Sequence, residues 1–81
     1  MMIDSTKGLP LRVSTEGTVG PYIRLPYSQI EDLRRVLDSH GIHYWVHENI
    51  ISLDGGPYIA VVDLGRKADA NALQAILDSV P

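Results

Sequence analysis

The 81-residue chain has no cysteine and no phenylalanine. Without cysteine there are no disulfide frameworks, thiolate zinc sites, iron–sulfur clusters or thiol nucleophiles, and a cytoplasmic home fits. Long apolar runs are also missing: the longest stretch, Tyr58–Val62, has five residues, whereas a spanning helix needs about 20. Residues Met1-Met2-Ile3-Asp4-Ser5-Thr6-Lys7 carry neither the basic nor the apolar segment of a secretory signal. Charge of one sign is absent too. Seven Lys+Arg stand against ten Asp+Glu, for a net −3, with no block of like charge. Such a balance offers no global attraction to nucleic acid. The length allows one domain, which buries only about 60–65 % of its unfolded surface. Its core must be thin and two-layered, with little room for a deep catalytic cavity.

What is present alternates. Residues 1–8 read as a flexible N-terminus and 9–81 as a single domain. Leu9–Ser14 alternates apolar and polar with the period of a strand, and Pro10 suits an edge. A Gly/Pro-rich turn over 15–21 joins it to a second alternating run, Tyr22–Leu25. Ser28-Gln29-Ile30-Glu31 fits a capping box, and Ile30, Leu33, Val36 and Leu37 form the apolar stripe of the helix that follows. Glu31 and Arg35 have the favourable i,i+4 order, and Gly41 is the natural stop. Ile42–Glu48 reads as a strand rich in β-branched and aromatic residues. After the turn signal Asp54-Gly55-Gly56-Pro57, the most apolar strand runs over Tyr58–Leu64. A second helix covers Ala68–Val80, with Asp69 in its first turn and Leu73, Ile76, Leu77 and Val80 on one face.

The order ββαββα predicts an α+β fold: a ferredoxin-like two-layer sandwich in permuted order. Its four-stranded antiparallel or mixed sheet carries both helices on one face. The expected strand order across the sheet is 9–14, 22–25, 57–64, 42–48. Ser39-His40-Gly41-Ile42, Val46-His47-Glu48-Asn49, Gly55-Gly56-Pro57, Tyr58-Ile59-Ala60-Val61 and the Ala/Leu-rich helix from Asp69 carry a resemblance to a known family. Over residues 25–80 the chain resembles small bacterial signal-transducing proteins of ferredoxin-like, nitrogen-regulator-like fold. That resemblance implies a regulatory or interaction role and brings no catalytic residues.

With both helices on one side, the other face of the sheet stays open. If Ile42, Tyr44 and Val46 point inward, His43, Trp45 and His47 point outward. In the first hairpin, Leu11, Val13, Ile23 and Leu25 go in, whereas Arg12, Ser14, Tyr22 and Arg24 go out. In the last strand either parity is apolar. Ile59 and Val61 fill a core better and Tyr58 has a polar tip, which sets Tyr58, Ala60 and Val62 outward. The resulting plate comprises Tyr22, Arg24, His43, Trp45, His47, Tyr58 and Val62, an aromatic and arginine composition typical of interfaces. It predicts a homodimer packed sheet to sheet, or a protein partner. A blander alternative covers the plate with the 48–56 loop through Ile50, Ile51 and Leu53. A second functional reading is a sensor of a small-molecule effector (an amino acid or nucleotide), with its site near Gly17–Gly20 or Gly55–Gly56. RNA stacking on the sheet ranks lower, because the aromatic-glycine motifs it needs are absent.

Catalytic chemistry finds little support. In a strand, His43 and His47 stand about 13 Å apart, too far for one metal ion. The glycine pairs lack the Gly-Lys-Ser/Thr of a phosphate loop, and no nucleophile elbow occurs. The sequence therefore predicts no enzyme activity, no cofactor and no metal.

Overall fold

A computed structural model describes residues 1–16, 20–47, 51–52 and 58–80. The fold is α+β, with short strands β1 (Val13–Ser14), β2 (Tyr22–Pro26), β3 (Trp45–Val46), β4 (Ile51–Ser52) and β5 (Tyr58–Asp63). Its helices are α1 (Ile30–Ser39) and α2 (Ala70–Asp78). All the strand pairings are antiparallel, so the mixed sheet allowed by the sequence does not occur among the described strands. The spatial order is β1-β2-β5-β3, with β4 also on β5.

β3 and β4 take successive segments of β5. Trp45 and Val46 pair with Asp63 and Val62, and Ile51 and Ser52 pair with Ile59 and Tyr58. Of the strand expected over 42–48, Trp45–Val46 is the part that forms a strand among the described residues, and Ile51–Ser52 is a further short strand beyond it. Residues 48–50, the turn signal 54–57 and Leu53 lie outside the described residues, as does Gly17.

α1 does not begin with the expected capping box. A 3-10 turn over Tyr27–Gln29 precedes it, the N-cap is Gln29, and no side chain caps the helix. Pro26 at φ −58° and ψ 137° feeds the chain directly into that tight turn and leaves Ser28 exposed within it. The Gln29 side chain instead holds the N-terminal segment, accepting from Ser5 N at 2.9 Å and donating to Ile3 O at 2.7 Å. The helix ends as a Schellman motif: Gly41 N donates to Asp38 O at 3.1 Å and Ile42 N to Leu37 O at 3.0 Å. Gly41 takes φ +67°, which only glycine adopts without strain. On the exposed face the ion contacts are i,i+3, Arg34–Glu31 at 3.8 Å and Arg35–Asp32 at 4.0 Å, rather than Glu31–Arg35. In α2, Asp69 is the N-cap, its carboxylate accepting from Asn71 N at 3.0 Å and Ala72 N at 3.1 Å.

Residues 1–8, expected to be a flexible tail, belong to the fold. Met2 is buried and donates through its backbone N–H to Leu77 O at 3.1 Å, and Leu11 N donates to Met2 O at 2.8 Å. Asp4 is buried as well. Its carboxylate accepts from Thr6 N at 2.8 Å and Lys7 N at 3.0 Å, closing a turn that brings Asp4 N to Leu9 O at 2.8 Å. A buried polar group needs such partners, and here local backbone supplies them.

One cluster forms the core. Ile23, Leu25, Ala60 and Val62 from the sheet meet Ile30, Leu33 and Leu37 from α1 and Leu73 and Leu77 from α2. Ile42, Tyr44 and Val46 pack against it, as their expected inward parity requires. The last strand has the opposite parity to the one expected. Val62 is 1 % exposed and Ala60 is fully buried, whereas Ile59 and Val61 are only half-buried. Register decides this. Val62 stands opposite Ile23 and Val46, and Ala60 opposite Leu25. Cross-strand partners share a face, so inward Ile23 and Leu25 force both residues inward.

Candidate functional site

On the far face from that core, two cross-strand rows follow from the register. Ser14, Tyr22, Asp63 and Trp45 form one. In the next, Arg24 faces Val61, and His47 N donates to Val61 O at 2.9 Å. Four of the expected residues therefore meet: Tyr22, Arg24, Trp45 and His47. Three do not. Val62 is core. Tyr58 shares the parity of Ala60 and Val62 and is 61 % exposed at the start of β5, apart from the rows. His43 precedes the paired part of β3 and lines a separate groove of about 260 Å³ with Ile42, Leu64, Ala72 and Ile76.

Trp45 is 60 % exposed, the most solvent-accessible large ring on this face. Its ring lies against Gly65, where a Cβ would come within 3.3 Å of Trp45 Cζ3. Gly65 in turn abuts Gly20. A Cβ on Gly20 would sit 2.7 Å from both Arg66 Cα and Gly65 O, at φ +91°. Backbone thus packs on backbone at Gly20 and Gly65, next to the indole. Asp63, which alternation did not single out, belongs to the site. Its Oδ1 accepts from Gly65 N at 2.9 Å, and its Oδ2 lies 3.6 Å from His47 Nε2. Ile59 and Val61 join the face in place of Ala60 and Val62.

At the β1–β2 end of the same face is a concavity of about 400 Å³. Arg12, Arg24, Lys7, Ser14 and Tyr22 line it, with Glu16 and the turn carboxylate Asp4 also on its wall. Sequence reading set Arg12 and Ser14 outward without assigning them to a site. Lys7 was missed because the N-terminal turn that delivers it was read as a tail.

Among the described residues no group of three or more His, Asp or Glu side chains converges as metal ligands. No described helix is long and apolar enough to cross a membrane. Comparison with protein-family models, with curated proteins and with solved structures finds no match for this chain.

Proposed function

We propose that this chain is a non-enzymatic interaction module of regulatory type that pairs with a second copy of itself through the open face of its sheet. In this reading the fold is a ferredoxin-like sandwich in permuted order, with both helices on one side of the sheet and the other side left for a partner. The observation that carries the proposal is Trp45, 60 % exposed and next to Gly65, beside half-buried Val61, Ile59 and Tyr22. Leaving such a ring in water forgoes the largest apolar contact a residue can make.

Charge selects the geometry. A two-fold pair places residues near the axis opposite their own copies. An axis over β1–β2 would set Arg12 and Arg24 against Arg12 and Arg24. An axis over β3 sets Trp45 against its equivalent and keeps β1, with Arg12, at the rim. Two sheets so packed lie about 10 Å apart, which removes the indole from water.

Trp45 is the single tryptophan, so its emission reports this step without interference. Upon concentration from nanomolar to high micromolar, the emission shifts to the blue as the indole leaves water. A water-like emission that does not move with concentration contradicts the proposal.

A further inference from the structure

The basic concavity at the β1–β2 end has a feature that folding does not require. Val13 pairs with Ile23 and Ser14 with Tyr22. One step further in the same register, Arg12 stands opposite Arg24, and both are exposed. Like charges directly opposite on adjacent strands destabilise the pair. The usual remedy is an interleaved carboxylate, yet the described ion contacts are Arg34–Glu31, Arg35–Asp32 and His47–Asp63, and none involves Lys7, Arg12 or Arg24. Of the two carboxylates on the wall, Asp4 has Oδ1 engaged by Thr6 N and Lys7 N, and Glu16 is exposed. A local conflict of this kind, with no ion contact to it among the described residues, marks a place where binding takes precedence over stability.

We infer that this concavity binds a small phosphomonoester, the phosphate held between Arg12 and Arg24 with Lys7 beside it. Two planar guanidinium forks can each donate a pair of N–H groups to the three terminal oxygens of a tetrahedral phosphate dianion, and the Ser14 and Tyr22 hydroxyls add neutral donors. A monocarboxylate would neutralise only one of the two arginines. The half-buried Tyr22 ring, together with Leu9 and Pro10 on the wall, gives the organic part of the ligand an apolar bed. The volume of about 400 Å³ is in the range of small-ligand sites and accommodates a nucleoside monophosphate. The site shares Tyr22 and Arg24 with the face proposed for pairing, whereas Lys7 and Arg12 lie outside the rows around Trp45.

The test is calorimetric titration of the full chain at low salt with adenosine monophosphate, adenosine, inorganic phosphate, citrate and a short single-stranded RNA. Adenosine monophosphate is expected to bind, inorganic phosphate more weakly, and adenosine not at all. Arg12→Gln and Arg24→Gln each weaken binding by about tenfold or more, and Glu16→Gln tightens it. Without ligand, each arginine variant melts at a higher temperature than the parent chain, because the like-charge pair is gone. A merely structural role for the arginines gives the opposite shift. The inference is overturned if adenosine monophosphate produces no heat at millimolar concentration, or if citrate or adenosine binds as well as it does. Unchanged affinity in both arginine variants, or binding by the RNA alone, also overturns it. Failure here with an intact concentration-dependent Trp45 shift leaves the pairing proposal standing, and the reverse result leaves this one.

Discussion

Trp45 and Gly20 show how single positions set the site. A side chain at residue 65 would crowd the edge of the indole at Cζ3, and the backbone of residue 65 in turn leaves no room for a side chain at Gly20. Replacing Gly20 with Ala forces a left-handed backbone onto a residue that resists it and drives a methyl into the Gly65–Arg66 backbone. The expected cost is about 1–3 kcal/mol, read from urea unfolding. The inverted parity of β5 gives a sharper pair. Val62→Ala empties a core position and should cost about 1.5–3 kcal/mol, whereas Val61→Ala, on the open face, should cost under about 1 kcal/mol. Equal losses would contradict the assigned parity. Tyr44 supplies a pH signature. Burial, and then the neighbouring Asp38 carboxylate, raise its phenol above the ordinary tyrosine value. The unfolded chain therefore releases this proton first, and stability falls as pH rises from about 10 through the higher folded value. Ultraviolet titration of tyrosinate should lose a late step in Tyr44→Phe, and that step should move down in Asp38→Asn.

Among the elements, β1 is the one most dependent on a borrowed partner. Its outer edge is closed by the α2 side chain Gln74, which accepts from Val13 N at 2.8 Å and donates to Leu11 O at 3.1 Å. One amide stands in for a neighbouring strand, and Met2 occupies the next position along the edge through Leu11 N. Gln74→Ala strands both backbone groups and should cost about 1–3 kcal/mol in urea unfolding. Gln74→Glu should fare no better, because a carboxylate cannot donate to Leu11 O. The same contacts show what sequence could and could not reveal. The stripe of α1, its glycine stop, the inward parity of Ile42, Tyr44 and Val46, and the order of strands were legible, because period and turn chemistry are local. The Ser28 capping box failed because Pro26 starts a 3-10 turn one step earlier. The parity of β5 was illegible because both faces of Tyr58–Asp63 are apolar. Only register against Ile23 and Leu25, a long-range property, distinguishes them. The docking of the N-terminal segment was missed for the same reason: nothing in Met2–Asp4 announces that Leu11 and Leu77 will receive Met2.

For the whole molecule, one account joins these pieces. Alternate residues of a small antiparallel sheet share one core with residues of both helices. The other face of the sheet presents an exposed indole on one side and, on the other, an arginine pair with no ion contact among the described residues. Of the expected plate, Tyr22, Arg24, Trp45 and His47 were legible from alternation. Asp63, Val61 and the basic concavity became visible only once strands and the N-terminal turn were placed. The central claim is that the Trp45 end of this face is covered by a second copy. Because Trp45 is exposed in the single chain, Trp45→Glu should remove the partner and leave the fold, with a helical spectrum and melting temperature near those of the parent. The decisive measurement is mass by light scattering at micromolar concentration. The account predicts about twice 8.9 kDa for the parent chain and 8.9 kDa for a folded Trp45→Glu variant. A parent chain that scatters at 8.9 kDa throughout, or a variant that keeps the doubled mass, contradicts it.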